Sequence, residues 1–481
     1  MKKKTRIIIG AVAVLVAVIA AVAGVLYYRD YQATYIVIDG EEYLRSVTSL
    51  DLSGKTLTEV GKLKELTNLE SLDLRDTGIS MAQYDSIQAA LPDCYIHWSV
   101  PFQDGYCDNE TVSLKLESLS EKDFSALAYL KNLETVTASG CTDYSALLAL
   151  TQQYPELKVT YWVSFSGTDY SNKLDTIRIT DPDLDELYEN LQYLPKVQTV
   201  YLNGTLPSNE ELLALKEALT GITFVWNFEV FGVEVNTLTE FIDLSGIEME
   251  NTDEVEAMLP YFYNLTQVDM VDCGISNDDM DALNRRHQDT KFVWKVKVGG
   301  TSIRTDATYF MPAKTKIKGI NARSCVNLKY CTDMVAIDFG HYCISNVDFV
   351  EYMPNLKYLL LCEATMTDIT AISNCKSLVY LELFLTDVTD YWPLTNLTNL
   401  EDLNISYTPY GDITPLYQMT WLDRMWMASS GVSRTQRTSL RTSLPNTIFL
   451  FYSDGSTNRG WRHSPNYYEQ RDLIGMWYMV A

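Results

Sequence analysis

Histidine is nearly absent from this sequence, with four residues in 481. That leaves little material for His-rich zinc clusters or for imidazole acid–base chemistry. Positive charge is also scarce: 38 Lys+Arg stand against 63 Asp+Glu, a net charge of −25 at pH 7. So acidic a body repels phosphate backbones, which argues against nucleic acid as a partner. No glycine-rich phosphate loop, G-x-S-x-G elbow or H-E-x-x-H pair is found. The expectation is therefore a protein that is not an enzyme, with no cofactor, no metal and no catalytic residues. The nine cysteines are an odd number, so they cannot all pair within one chain.

Apolar residues, by contrast, are plentiful, at 47% hydrophobic. The densest run comes first. Residues 2–6 read KKKTR, and from Ile7 to Leu26 no charge interrupts the chain until Arg29. About 20 apolar residues at a helical rise of about 1.5 Å cross a bilayer core. Lys2, Lys3, Lys4 and Arg6 would remain cytoplasmic, with the body outside. A cleaved signal peptide is the rival reading, since Ala21-Val22-Ala23 is a small-x-small site. Either way the body is exported.

The body repeats. Met334, Leu356, Leu378, Leu400 and Leu422 are spaced by 22 residues, and so are Ile337, Leu359, Leu381, Leu403 and Met425. Further columns at Phe339/Leu361/Leu383/Ile405/Met427 and Ile344/Met366/Val388/Tyr410/Val432 keep the same step. Each row reads L-x-x-L-x-L, a short strand with one face inward, followed by a second apolar stretch. A single coil cannot bury its own leucines, so the coils must stack. The N-terminal half uses a longer unit of about 64 residues. First strands are expected at Leu50–Leu52, Leu114–Leu116, Ile177–Ile179 and Ile242–Leu244, and second strands at Leu72–Leu74, Val136–Ala138, Val200–Leu202 and Val268–Met270. A third, longer stretch carries Trp98, Trp162, Trp226 and Trp294, read as core plugs, and ends in hairpin-like Gly turns.

These rows, such as "NLKYLLLCEATMTDITAISNC" and "NLEDLNISYTPYGDITPLYQM", resemble bacterial leucine-rich-repeat surface proteins of the internalin type. The resemblance spans about residues 46–432 and is most specific over 334–432. It implies an α/β fold: a right-handed solenoid with a parallel sheet on its concave face, and a binding role. The long N-terminal unit departs from that pattern, and no wall-sorting signal is seen at the end.

In the repeat frame Cys141 and Cys273 take the place where a small residue meets the turn backbone, and Cys325, Cys331 and Cys375 fall in buried columns. Cys94, Cys107, Cys343 and Cys362 are left open, with a Cys94–Cys107 bridge one option. His341, Cys343 and Cys362 lack a fourth ligand for a structural metal site. "SNDDMDAL" (276–283) reads as a helix N-cap rather than a calcium loop.

The outward x positions of the 22-residue rows carry Tyr358, Leu360, Tyr380, Glu382, Asp402, Asn404, Arg424 and Trp426, with Phe384 in the next outward column. An aromatic strip like this is rarely left bare. Two readings stand equal: a docking strip for a protein, peptide or glycan, or a surface covered by the chain's own tail. From Arg424 onward there are seven arginines and no lysine, against Asp454, Glu469 and Asp472, and the segment is rich in aromatics. Its default role is to cap the last open coil.

The expected organisation is a cytoplasmic stub (1–6), a transmembrane signal-anchor (7–28), a linker (29–45), four long repeat units (46–301), a junction (302–333), internalin-like rows (334–432) and a C-terminal cap (433–481). The expected function is a single-pass cell-membrane protein, secreted if the anchor is cleaved. It would bind a protein, peptide or glycan partner outside the cell through its concave face. A structural envelope spacer without a discrete ligand is the alternative.

Overall fold

A computed structural model describes residues 2–120, 123–312, 317–452 and 459–476, with side chains described from residue 8. Lys314 and Lys316 of the junction, Asp454, and the side chains of Lys2, Lys3, Lys4 and Arg6 lie outside the described residues. The chain forms two compact bodies, divided between Trp226 and Asn227.

The first body opens with a helix, Lys2–Thr34. It runs past the expected anchor limits and passes directly into a hairpin of Tyr35–Ile38 and Glu41–Leu44. The expected linker is thus the end of a helix and a hairpin. The turn is Asp39–Gly40, both at positive φ, the type I′ geometry that suits the twist of a two-residue hairpin. Ile36 and Ile38 are buried, and the Asp39 carboxylate accepts from the Thr58 backbone N–H, so the hairpin is tied to the first coil.

Three coils follow in each long unit. Ser49–Asp51, Ser71–Leu74 and the start of Tyr95–Phe102 pair in parallel. The end of that third strand turns back into an antiparallel hairpin with Gly105–Asp108. Ser113–Leu116, Thr135–Ala138 and Lys158–Phe165 repeat the plan, with Thr168–Ser171 as the return. Thr176–Thr180, Thr199–Asn203 and Thr223–Val225 form the third parallel set. The expected strands are all present, and the glycine-ended stretches are hairpin arms. In this half the parallel sheet is broken into short sets by these hairpins.

The helices between strands begin where a side-chain cap is available. Ser80 and Gln83 form a reciprocal capping box on Met81–Ala90, as do Ser208 and Glu211 on Asn209–Ala218. Buried Leu212 and Leu215 face the coil interior.

One expected core plug is corrected. Trp98, Trp226 and Trp294 are buried, but Trp162 is only half-buried and Tyr161 takes the core position. Side chains alternate along a strand, so a one-residue offset reverses the face. Ala138 pairs with Tyr161 in the register in which Leu74 pairs with Trp98.

The second body starts with the hairpin Asn227–Val230/Val233–Asn236 and a fourth long unit, Phe241–Asp243, Gln267–Asp269 and Lys291–Val293, with the hairpin Lys295–Val298/Thr301–Arg304. "SNDDMDAL" is a helix start: the Ser276 hydroxyl accepts from Asp279 N–H at 3.2 Å. A seven-stranded parallel sheet follows: Tyr309–Phe310, Ala336–Asp338, Tyr358–Leu360, Tyr380–Glu382, Asp402–Asn404, Arg424–Trp426 and Ile448–Leu450. Ala336, Tyr358, Tyr380, Asp402 and Arg424 are successive partners, so the 22-residue step is one coil. Ile337, Leu359, Leu381, Leu403 and Met425 are fully buried. Short 3₁₀ turns such as Thr370–Asn374 and Trp392–Asn396 bring each coil back.

All nine cysteines are unpaired. The Cys141 and Cys273 thiols donate to Leu116 O and Leu244 O of the preceding coil, at 3.6 and 3.2 Å. Stacking, not bridging, holds these coils.

Each hairpin must also be tied back to its coil. Asn172 does this in the second unit: its Oδ1 accepts from Tyr161 N–H at 3.0 Å and its Nδ2 donates to Val159 O at 3.2 Å. Asn109 makes the same pair of bonds to Trp98 N–H and Ile96 O. Asn172→Ala would leave two backbone groups unpaired where the hairpin rejoins the sheet, at a cost of about 1–3 kcal/mol. Thermal denaturation is expected to show a lower Tm, whereas Asn→Ala at exposed Asn132 should leave it unchanged.

Candidate binding groove and the segment that fills it

In the first body the outward positions of each unit's first strand remain open: Ser49 and Asp51, Ser113 and Lys115, and Thr176, Arg178 and Thr180 are exposed. The 22-residue rows behave differently. Tyr358, Leu360, Tyr380, Glu382, Asp402, Asn404 and Trp426 are all buried, at 5% exposure or less. Arg424 and Phe384 are half-buried. Of the two readings of this strip, cover by the chain itself is the one these burials match. Their outward direction is as expected, but another part of the chain lies on them.

That part is the tail. Its first portion is one more coil, with the helix Arg434–Ser443, capped by Ser433 and Gln436, leading into Ile448–Leu450. Arg437 and Arg441 lie over the Phe451 ring at 5.0 and 5.1 Å. The chain then re-enters at Arg459, makes a turn at Trp461–His463, and forms the helix Pro465–Leu473 across the strands. It covers the concave face of several rows as well as adding a last coil.

Contacts step back through the rows from Trp426 to Asp338, with Trp461 reaching ahead to Phe384. The Trp426 indole N–H donates to Arg459 O at 2.9 Å. Trp461 packs on Phe384, with ring centroids 5.0 Å apart. Asn466 Nδ2 donates to Glu401 at 3.0 Å and to Asp402 Oδ2 at 3.2 Å. Tyr467 meets Tyr380 edge to face at 6.1 Å. Arg471 Nη1 donates to Asp338 Oδ2 at 2.8 Å and Nη2 to the Tyr467 hydroxyl at 2.8 Å. Ile474 and Met476 close an apolar cluster with Ala336, Tyr358, Leu360 and Tyr380, joined by Met311 and Val335.

The groove is acidic as well as aromatic. Asp402 accepts from Arg424 Nε at 2.5 Å. Burial pushes the Asp402 carboxyl up, with Arg424, Ser464 and Asn466 opposing that rise. Glu382 accepts from the Tyr380 hydroxyl at 2.8 Å. Burial raises its carboxyl to about 7; Asp338 adds to the rise, while the Tyr380 hydroxyl, Arg471 and Arg462 oppose it. The groove places carboxylates to receive guanidinium and amide donors between aromatic faces.

The sequence contained a signal for this cover. Outward positions of the first strands in the first body are Ser, Asp, Lys, Thr and Arg, whereas these rows carry Tyr, Leu and Trp, and the tail carries matching aromatics and arginines.

Two outcomes follow. Tyr380→Ala should lower stability by about 3–5 kcal/mol, because it empties a fully buried site. Chemical denaturation checks this, and an unchanged midpoint would show that the tail does not cover Tyr380. Glu382 titrates near 4.3 when unfolded and near 7 when folded. The folded chain thus holds the extra proton between those values, and the associated stability is lost as pH rises through about 7. Raising pH from 5 to 8 should destabilise the wild type by roughly 1–3 kcal/mol more than Glu382→Gln. Equal pH profiles would refute the placement of Glu382.

No family model matches the chain, and no curated protein matches it. Solved structures similar to it include an internalin from Listeria monocytogenes, with 14% identity over 86% of this chain and 84% of that one, at a TM-score of 0.25. A leucine-rich-repeat protein from Leptospira interrogans is 14% identical over 85% of this chain and 96% of that one, at a TM-score of 0.24. An internalin C2 from Listeria monocytogenes is 20% identical over 44% of this chain and 80% of that one, at a TM-score of 0.25. The description of the coils rests on the chain's own strands, registers and buried columns: an α/β leucine-rich-repeat solenoid.

Proposed function

We propose that this is a membrane-anchored protein, displayed outside the cytoplasm, that binds a polypeptide partner. The concave groove of the 22-residue rows is the seat for a short amphipathic segment, held in cis by residues 459–476. The observation that carries this reading is the row-by-row match, with Arg459 on Trp426, Asn466 on Asp402, Tyr467 on Tyr380 and Arg471 on Asp338. Such a register of anchors is how a groove recognises a helix. Carboxylates that accept from guanidinium and amide groups favour a polypeptide over a glycan.

The anchor reading is supported by the first helix. From Ile8 to Thr34 it is long and apolar enough to cross a membrane. Val12, Leu15, Ile19 and Val22 are each more than half exposed, so the chain provides no cover for them. Lipid is the solvent that suits such a surface. If the helix is removed by cleavage, the same body is secreted.

The spacer reading is favoured by one observation, the depth of the tail: Gln470 is fully buried and Trp461 is 4% exposed. A binding experiment separates the two. The full chain in detergent, carrying Trp461→Ala and Arg471→Ala, is titrated with a labelled peptide of residues 459–476. Saturable binding is expected in this variant and not in the wild type, and adding Asp338→Asn should weaken it about tenfold. A folded variant that ignores the peptide would make the tail a fixed part of the core and the chain a spacer.

A further inference from the structure

The first long unit gathers ligands that the histidine count alone would not suggest. Asp51, Asp73 and His97 are register partners on the outward side of its three strands. The hairpin return adds Asp108 and Glu110 beside them. His97 Nε2 lies 3.0 and 3.1 Å from the two Asp108 carboxylate oxygens and 3.7 Å from Glu110 Oε2. One ligand atom from each of the three residues falls within 4.8 Å of the others. Metal–ligand bonds of about 2.0–2.2 Å in a tetrahedron place ligand atoms about 3.3–3.5 Å apart. The two His97 separations bracket that value.

The surroundings orient these groups. On the other side of the ring, His97 Nδ1 faces Asp73 Oδ2 at 3.9 Å. At that distance Asp73 makes no hydrogen bond to the ring, and it is Nε2 that faces the two acids of the hairpin return. Asp73 is itself gripped by Arg75, with Nη2 at 2.6 Å. Asp108 Oδ1 accepts from Glu110 N–H at 2.8 Å, which sets the two acids side by side, and the Tyr95 hydroxyl donates to Glu110. Three carboxylates around one imidazole are offset by a single guanidinium, so the place carries negative charge.

The fourth long unit supplies an internal comparison. Asp269 stands at the position of Asp73, Arg304 at that of Asp108, and Asp306 at that of Glu110, counted from Trp294 and Trp98. There Arg304 donates to Asp269 and to Asp306, each at 2.7 Å. The guanidinium is the cation of that site, supplied by the chain. In the first unit the same place holds Asp108 instead, and His97 replaces Val293.

We propose that His97, Asp108 and Glu110 bind a divalent first-row metal ion of the Zn²⁺ class, with a solvent molecule completing the coordination. A mixed imidazole and carboxylate set suits such an ion. The other histidine cluster, His341 with Cys362 and Glu363, is a weaker candidate: His341 is largely exposed, and burial pushes the Cys362 thiol up to about 12, away from the thiolate a metal needs.

The probe is Zn²⁺ alone, titrated into the metal-stripped full chain in detergent against a chromogenic chelator. One equivalent is expected to bind. His97→Gln and Asp108→Asn should each weaken it by at least about tenfold, while His341→Gln leaves it unchanged. Glu110→Gln, at an exposed edge, serves as a third ligand variant should His97→Gln lower the Tm. Binding that survives both His97→Gln and Glu110→Gln, or less than one equivalent in the unaltered chain, overturns the site.

Discussion

A coil of 22 residues cannot bury its own apolar side chains, and the rest of this protein depends on that constraint. Leu359 has no interior until Leu381 and Ile337 lie directly on either side of it. Parallel pairing at one strand spacing then makes an apolar column, and the period must hold strictly because a slip would misalign the whole column. The thiols of Cys141, Cys273 and Cys375 fit the same constraint: each is small enough for its turn and donates to a carbonyl of the preceding coil.

The outward face obeys a different rule. Nothing in coil stacking dictates what lies there, so it is free to differ between repeat types. On the first strands of the first body's units it is polar and open. In the 22-residue rows it is aromatic and acidic, and the tail both covers it and neutralises part of its charge. Arg471 reaches Asp338 over 133 residues of sequence. An ion pair this buried carries a desolvation cost, so its presence says more about register than about net stability. A tail sliding by one row would place the guanidinium against Leu360, the register partner of Asp338, and leave Asp338 buried without its cation.

How much of this the sequence discloses follows from the range of each interaction. Inward columns are legible because they repeat locally: Leu356, Leu378 and Leu400 can be counted without knowing the fold. Hairpin arms are legible from alternation and Gly turns, although the first, Tyr35–Leu44, looks like a linker when its Asp39–Gly40 turn is not weighed against the apolar run before it. Tyr161 is hidden by its neighbour Trp162, because residue type points to one position and strand alternation to the other. The aromatic strip is legible as a surface needing cover. Its occupant is not, since the match between Asn466 and Asp402 or Arg471 and Asp338 has no local period.

The same reasoning explains why four histidines say little about metal chemistry here. Composition counts ligands, whereas a repeat array places them. Stacked strands bring residues one coil apart to within a strand spacing, so Asp73 and His97, 24 positions apart, become neighbours without any motif. A hairpin inserted after every third strand then folds a further pair of side chains back over that column. The first and fourth long units therefore carry corresponding outward places, one filled by the Arg304 guanidinium and the other holding His97 among carboxylates. The scaffold is held by its inward residues, so these outward substitutions alter the chemistry of a unit while its coils keep their packing.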